Sequence, residues 1–231
     1  LCKEFMIDFK KYYDYVKGLK DGYYINNKIL IKHASDIFLD FISKPRNNNK
    51  LEIDKTKIIT IVGHSPVINH QICYPDLNPV YDKKNNYIYI DGGNNVLPWG
   101  QLNMLIIESL DNMNISYINE DNYLSVEVLD DLTHIDYNPV NITSYTNKLS
   151  IKENLGDYYL CKHHYSSNDI LVLNKFIKYK NDETVAYNGF YHFIDAKKKE
   201  ILKLIIEASP YSIVKKDGIV GYVEKNKIKR L

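Results

Sequence analysis

Two apolar runs in this chain stop abruptly at a histidine: "ILIK" runs into His33 and "KIITIV" runs into Gly63-His64. Both read as short buried strands. In an α/β sheet the carboxyl ends of the strands are where ligands and metals collect. A histidine placed there presents its imidazole to a cleft instead of the core. Gly63 is expected to remove a side chain where the backbone turns sharply, and Pro66 to stiffen the exit. A third run, "YIYI", ends at Asp91-Gly92-Gly93 and approaches the same edge. The alternative for each histidine is a surface or hydrogen-bonded residue, and both readings stand at this point. Asp91 reads as a structural aspartate beside the edge rather than as a metal ligand.

The remaining elements frame these three runs. Phe5, Phe9, Tyr12, Tyr13 and Val16 recur at helical spacing, with Gly18 as the stop. "YYINNKILI" reads as a hairpin about Asn26-Asn27. Ser35 caps a short helix that turns Phe38, Leu39, Phe41 and Ile42 inward. "SKPRNNNKLEIDK" has the composition of an exposed loop. "NPVYDKKNNYIYIDGG" reads as strand, turn, strand, and "QLNMLIIES" and "NISYINE" as two strands joined at Asp111-Asn112.

Near residue 120 the character changes to short β runs broken by Asn, Asp and Pro. This divides the chain into residues 1–119 and a β-rich domain of residues 120–231. Within it, "YHFIDAKKKEILKLIIEA" reads either as two strands about a turn at residues 196–199 or as a strand followed by a helix. Asp217-Gly218 is a type I′ hairpin signal. No repeat of fixed period is visible.

Charge removes some classes of partner. Thirty basic side chains against 29 acidic ones give a net charge of +1, which offers no bulk attraction to nucleic acid or to a membrane surface. The basic cluster that closes the chain, residues 225–230, reads as a solvated tail. No apolar run approaches the ~20 residues that span a bilayer. Cys2, Cys73 and Cys161 are odd in number and far apart, so neither a disulfide framework nor a Cys-x-x-Cys metal site is expected. A reducing cytoplasm is the expected location.

The other histidines are weaker ligand candidates. His70 is expected to be exposed in the loop after the GHSP turn. His163 and His164 are adjacent, so a strand points them to opposite faces. His134 and His192 stand alone in the sequence. No phosphate-binding Gly-Lys loop, Gly-x-Ser-x-Gly elbow or His-Glu-x-x-His is present.

"KIITIVGHSPV" followed by "NPVYDKKNNYIYIDGGNNVLPWGQLNMLIIES" resembles the C-terminal half of a calcineurin-like metallophosphoesterase, nearest to the phosphoprotein phosphatase type. That family shows a Gly-His-Thr-Pro turn after an apolar strand, then a strand ending in Asp-Gly-Gly or Asp-Thr-Gly. "ILIKHAS" resembles its preceding strand, which ends in His-Ala-Gly. The resemblance covers roughly residues 15–118, about half of the chain.

It implies an α/β fold: the C-terminal half of a metallophosphoesterase β-sandwich flanked by helices, followed by the β-rich domain. His33 and His64 would be ligands of a centre of two divalent ions (Mn, Fe or Zn), with Gly63, Ser65, Asp91 and Gly92 shaping the edge around them. Two such ions, about 3.5–4 Å apart, would hold a bridging hydroxide and polarise a phosphoryl oxygen. The implied activity is hydrolysis of phosphate monoesters, with phosphoserine or phosphothreonine in proteins, or a small phosphoester, as substrate. It would fall at acid pH, because ligand imidazoles must be neutral. A dinucleoside-polyphosphate hydrolase is the related alternative.

The family's Asp-x-His, Gly-Asp-x-x-Asp-Arg-Gly and Gly-Asn-His-Glu motifs are missing from this sequence. They supply the carboxylates, the asparagine, a third metal-binding histidine and the general-acid histidine, so no catalytic residue is assigned in these 231 residues. Ser35 replaces a usual glycine, and the family's phosphate-binding arginine does not carry over to Arg46. The leucine at position 1 and the helix with no strand before it favour a downstream piece of a phosphatase, inactive as it stands. The competing reading is a degenerate, non-catalytic scaffold.

"YSIVKKDGIVGYVEKNKIKRL" is similar to the closing strands of bacterial SH3-like domains, near residues 205–231. It implies a binding module for a peptide or a cell-wall element.

Overall fold

The computed structural model describes residues 23–25, 28–33, 50–51, 53–71, 73–109, 114–134, 138–143, 145–180 and 182–231. The helices expected over residues 5–16 and after Ser35, the Asn26-Asn27 turn and the Asp111-Asn112 turn lie outside them. Among the described residues the structure is mostly β, in several sheets, with 3-10 turns and no α-helix.

The first sheet contains β1 (Tyr23–Ile25), β2 (Ile29–His33), β4 (Ile59–Gly63), β5 (Val80–Asp82) and β6 (Tyr87–Tyr89), in the order β1-β2-β4-β6-β5. β1 and β2 are antiparallel, with Ile25 opposite Ile29, which is the hairpin read from "YYINNKILI". β2, β4 and β6 are parallel neighbours. Parallel strands are covered on both faces, and the sequence supplies apolar residues for both. Ile29, Ile59 and Ile88 enter one core, while Val62 and Tyr89 join Val67 and Val80 in another.

The second sheet, β3 (Lys50–Leu51), β8 (Ile115–Glu120) and β7 (Leu102–Ile107), closes over the first core with Leu51, Ile115 and Tyr117. Its outer face leaves Leu102, Met104, Ile106 and Ile118 exposed. The polar tract around residue 50 is therefore not wholly an exposed loop. Leu51 is buried and pairs with Ile115, because one apolar residue in a polar run is enough to seat an edge strand when a core lies beneath it.

The β-rich part contains β9 (Leu124–Val128), β10 (Val140–Ile142), β11 (Lys148–Leu155), β12 (Tyr158–His163), β13 (Asp169–Leu173), β14 (Ile177–Lys180), β15 (Glu183–Ala186) and β16 (Gly189–Tyr191). It ends with β17 (Ile201–Ile206), β18 (Tyr211–Lys216), β19 (Ile219–Glu224) and β20 (Ile228–Arg230). Two five-stranded sheets run β13-β12-β11-β15-β14 and β19-β18-β17-β9-β20, while β10 and β16 pair with each other.

Of the two readings of "YHFIDAKKKEILKLIIEA", the helix is replaced by β17, while the first half is strand only at Tyr191, the end of β16, followed by isolated bridges at Phe193 and Ala196. Leu202 and Leu204 alternate with Lys203, which sends the leucines to a core that a strand period reaches. Asp217 (φ 49°) and Gly218 (φ 80°) both adopt the left-handed backbone that a type I′ turn requires.

Residues on either side of position 120 share buried structure. Trp99 packs edge-on against Phe176 and Phe190, with ring centroids 5.4 and 5.1 Å apart. Leu77 N–H donates to the Gly218 carbonyl and Val220 N–H to the Pro75 carbonyl. Asn141 donates its side-chain amide to the Ile68 and Gln71 carbonyls at 2.7 and 2.5 Å. A buried ion pair joins Lys215 to Asp121 at 2.7 Å, and Lys215 also lies 4.7 Å over the Tyr123 ring. Breaking such a pair from one side leaves an uncompensated buried charge.

Candidate functional site

Strand pairing brings the three sequence candidates to one sheet edge. His33 is opposite Gly63 in the β2–β4 ladder, and Val62 is opposite Tyr89 in the β4–β6 ladder. Ile90 N–H donates to the Val62 carbonyl at 3.0 Å. His33, Gly63-His64 and Asp91 thus occupy the carboxyl ends of three neighbouring parallel strands, where open α/β sheets bind ligands. The His33 side chain lies outside the described residues, so its place is set by the backbone alone.

The sharp turn after β4 is not made where the sequence suggested. Gly63 keeps an ordinary backbone, and a β-carbon added there would meet nothing within 4 Å. The left-handed conformation falls on His64 instead, at φ 79°, with its imidazole exposed. A non-glycine residue held there stores about 1–3 kcal/mol of backbone strain. His64→Gly is therefore expected to raise stability against urea by about 1 kcal/mol, while Gly63→Ala leaves it within about 0.5 kcal/mol. A fall in stability in His64→Gly would show that the imidazole contributes more to folding than the strain costs.

Ser65 and His70 form a pair that the sequence did not announce. Ser65 Oγ and His70 Nε2 lie 2.7 Å apart. His70 is half-buried, and burial pushes its imidazole down to about 4. The expectation of an exposed loop histidine fails because Val67–His70 forms a 3-10 turn that buries Val67 and Ile68 and draws the ring inward. Ser65 is thereby committed to His70.

Asp91 is a turn former. Its Oδ1 accepts the Gly93 N–H at 2.8 Å, and its carbonyl accepts the Val67 N–H at 2.8 Å, tying the GHSP turn to the third strand end. Gly92 is required by close approach: a β-carbon there would collide with the Gln101 carbonyl oxygen and with Asn103 Nδ2. Beneath this loop lies an amide network. Gln101 Nε2 donates to Asn103 Oδ1 at 2.8 Å, and Asn103 Nδ2 donates to the carbonyls of Leu77 and Ile90 at 2.7 and 2.9 Å. The signal for these two residues was present in "QLNMLII", where Gln101 and Asn103 fall on the same strand face as the partly buried Leu105 and Ile107.

The other histidines are structural. His163 is buried between the Thr146 carbonyl and Ser166 Oγ, while His164 pairs outward with Ser150, the opposite orientations expected of neighbours. His134 stacks on Phe193 and pairs with Asp195 at 3.2 Å. His192 is buried edge-on against Tyr74, and burial pushes it down to about 4.

Among the described residues, no three His, Cys, Asp or Glu side chains cluster closely enough to hold a metal ion. His64 is exposed, and one carboxylate oxygen of Asp91 accepts the Gly93 N–H. The described residues at this edge do not fit a complete dinuclear centre. No helix among the described residues is long and apolar enough to cross a membrane. Comparisons with protein families, curated proteins and solved structures find no match.

Proposed function

We propose that this sheet edge is one share of a metallophosphoesterase centre of the serine/threonine phosphoprotein phosphatase type, with His33 and His64 as imidazole ligands to divalent ions. The observation that carries the reading is the alignment of His33, Gly63-His64 and Asp91 on three adjacent parallel strand ends. Asp91, Gly92 and Ser65 serve this edge by holding the turns around His64: Asp91 through its carboxylate and carbonyl, Gly92 by close approach to Gln101, and Ser65 through its hydroxyl on His70. The described residues lack the carboxylates that a dinuclear site needs, so no chemical step is assigned to them. The stretch near residues 205–231 of the β-rich part is proposed as SH3-like, with a peptide partner for the β-rich part, supported by the β18–β19 hairpin and the strand that follows it. Tyr222 in that hairpin is a core residue: its hydroxyl lies 3.1 Å from the carbonyls of both Leu171 and Phe190 and shares its single proton between them.

The 231-residue chain is expected to bind Mn2+ weakly and to hydrolyse no phosphomonoester. Calorimetric titration with Mn2+ reads the first, and His33→Asn with His64→Asn is expected to abolish the heat. Binding that survives the double substitution sinks the ligand assignment. Turnover of a phosphomonoester that EDTA abolishes overturns the reading of an incomplete centre.

A further inference from the structure

Among the described residues, positions 124–231 run through the same series of elements twice. β9, β10, β11, β12, β13, a 3-10 turn at Asn174–Phe176 and β14 are followed by β15, β16, β17, β18, β19, a 3-10 turn at Lys225–Lys227 and β20. The step along the chain from the first turn, at Asn174, to the second, at Lys225, equals the step from Ile177 to Ile228, where the strands after those turns begin. The two five-stranded sheets also share one order. Each runs from the two strands of its last hairpin to the strand before them, then one inserted strand, then the strand after the 3-10 turn.

The inserted strand is the anomaly. In the first sheet it is β15, the opening strand of the second series. In the second sheet it is β9, the opening strand of the first. Their registers match: Val126 is opposite Leu202 and Arg230, and Thr184 is opposite Leu149 and Tyr179. Leu202 thus takes the place of Leu149 and Arg230 that of Tyr179, at nearly the same displacement as the two turns. Val126 and Val128 are packed in the core of the second unit with Leu202, Leu204, Val214 and Val223. The segments that carry the chain across, β10 and β16, pair with each other antiparallel about Asn141 and Phe190.

We infer that residues 124–231 are a duplicated module whose two units have exchanged their opening strands. Exchange of strands in equivalent positions keeps each sheet's backbone pairing, so its energetic cost is low. It leaves neither unit complete without a segment from the other's half of the sequence. No repeat of fixed period is visible in the sequence, and the duplication does not rest on one. The duplication survives in element order and spacing, while the side chains have diverged as far as "NKFIKYK" and "KNKIKRL".

Cysteine trapping in the full chain tests the exchange. Ser125 is directly opposite Lys203 in the exchanged arrangement, and it would be opposite Ser150 if the first unit kept its own strand. The Ser125→Cys, Lys203→Cys variant is expected to form an intramolecular disulfide, located by peptide mass mapping, and the Ser125→Cys, Ser150→Cys variant to form none. A disulfide in the second variant, in both or in neither overturns the exchange. A milder variant gives an independent readout by hydrogen exchange. Val126→Ala is expected to lower amide protection in β17, β18 and β19 while β11, β12 and β13 keep theirs, and the reverse pattern overturns the inference.

Discussion

Trp99→Ala is expected to destabilise the protein by about 3–5 kcal/mol, the usual range for removing a large buried aromatic. The ring is 1% exposed and belongs to the core that also holds Phe176, Phe190 and Tyr222. It reaches there from the loop that begins at Asp91, so one side chain connects the candidate edge to the β-rich part. Among the described residues its indole nitrogen has no hydrogen-bond partner. The loss is therefore one of packing, and Trp99→Phe should retain most of the stability. Urea unfolding followed by far-UV circular dichroism measures both variants, since the chain's only tryptophan is gone. Equal losses in the two would assign the indole N–H a role that packing does not give it.

Acid is expected to unfold the protein well before its carboxylates titrate fully. Burial lowers the imidazoles of His70 and His192 from 6.5 to about 4, and it lowers His163 as well. A folded-state value below the unfolded one means that the unfolded chain binds more protons as the pH falls through 6.5. Stability from this source is complete above that pH, is lost on the way down to about 4, and changes no further below it. For His192 the difference corresponds to about 3 kcal/mol. The half-buried His70 contributes less, because solvent partly stabilises its charged form. Urea midpoints measured from pH 7.5 to 4 should fall steeply, and His192→Gln should flatten the curve. An unchanged slope in that variant would show that the acid sensitivity lies elsewhere.

Much of the local structure was legible in the sequence for identifiable reasons. Asp217-Gly218 announced its hairpin because few residue pairs tolerate two left-handed conformations in succession. The strand ends at His33, His64 and Asp91 were legible because apolar runs stopped at residues that have no reason to be buried. What was not legible depended on tertiary contact. Leu51 became a strand only because Ile115 lay beside it, and His70 turned inward only because Val67 and Ile68 needed a core. Gly63 looked like the conformational hinge, yet the strained backbone fell one residue later, a choice that residue type alone does not reveal. The exchanged strands were the least legible of all. β9 and β15 have ordinary strand compositions, and nothing local distinguishes a partner close by in the chain from one far along it.

The exchange also fixes an order of assembly on the ribosome. β15 can join its sheet as soon as it is made, because β11 and β14 precede it in the chain. β9 is synthesised before both of its neighbours, and a nascent chain that has reached residue 200 contains neither β17 nor β20. Throughout that interval Leu124–Val128 is a bare strand whose backbone groups offer a template to any passing chain. The first-made strand of the module waits for partners encoded at residues 201–206 and 228–230.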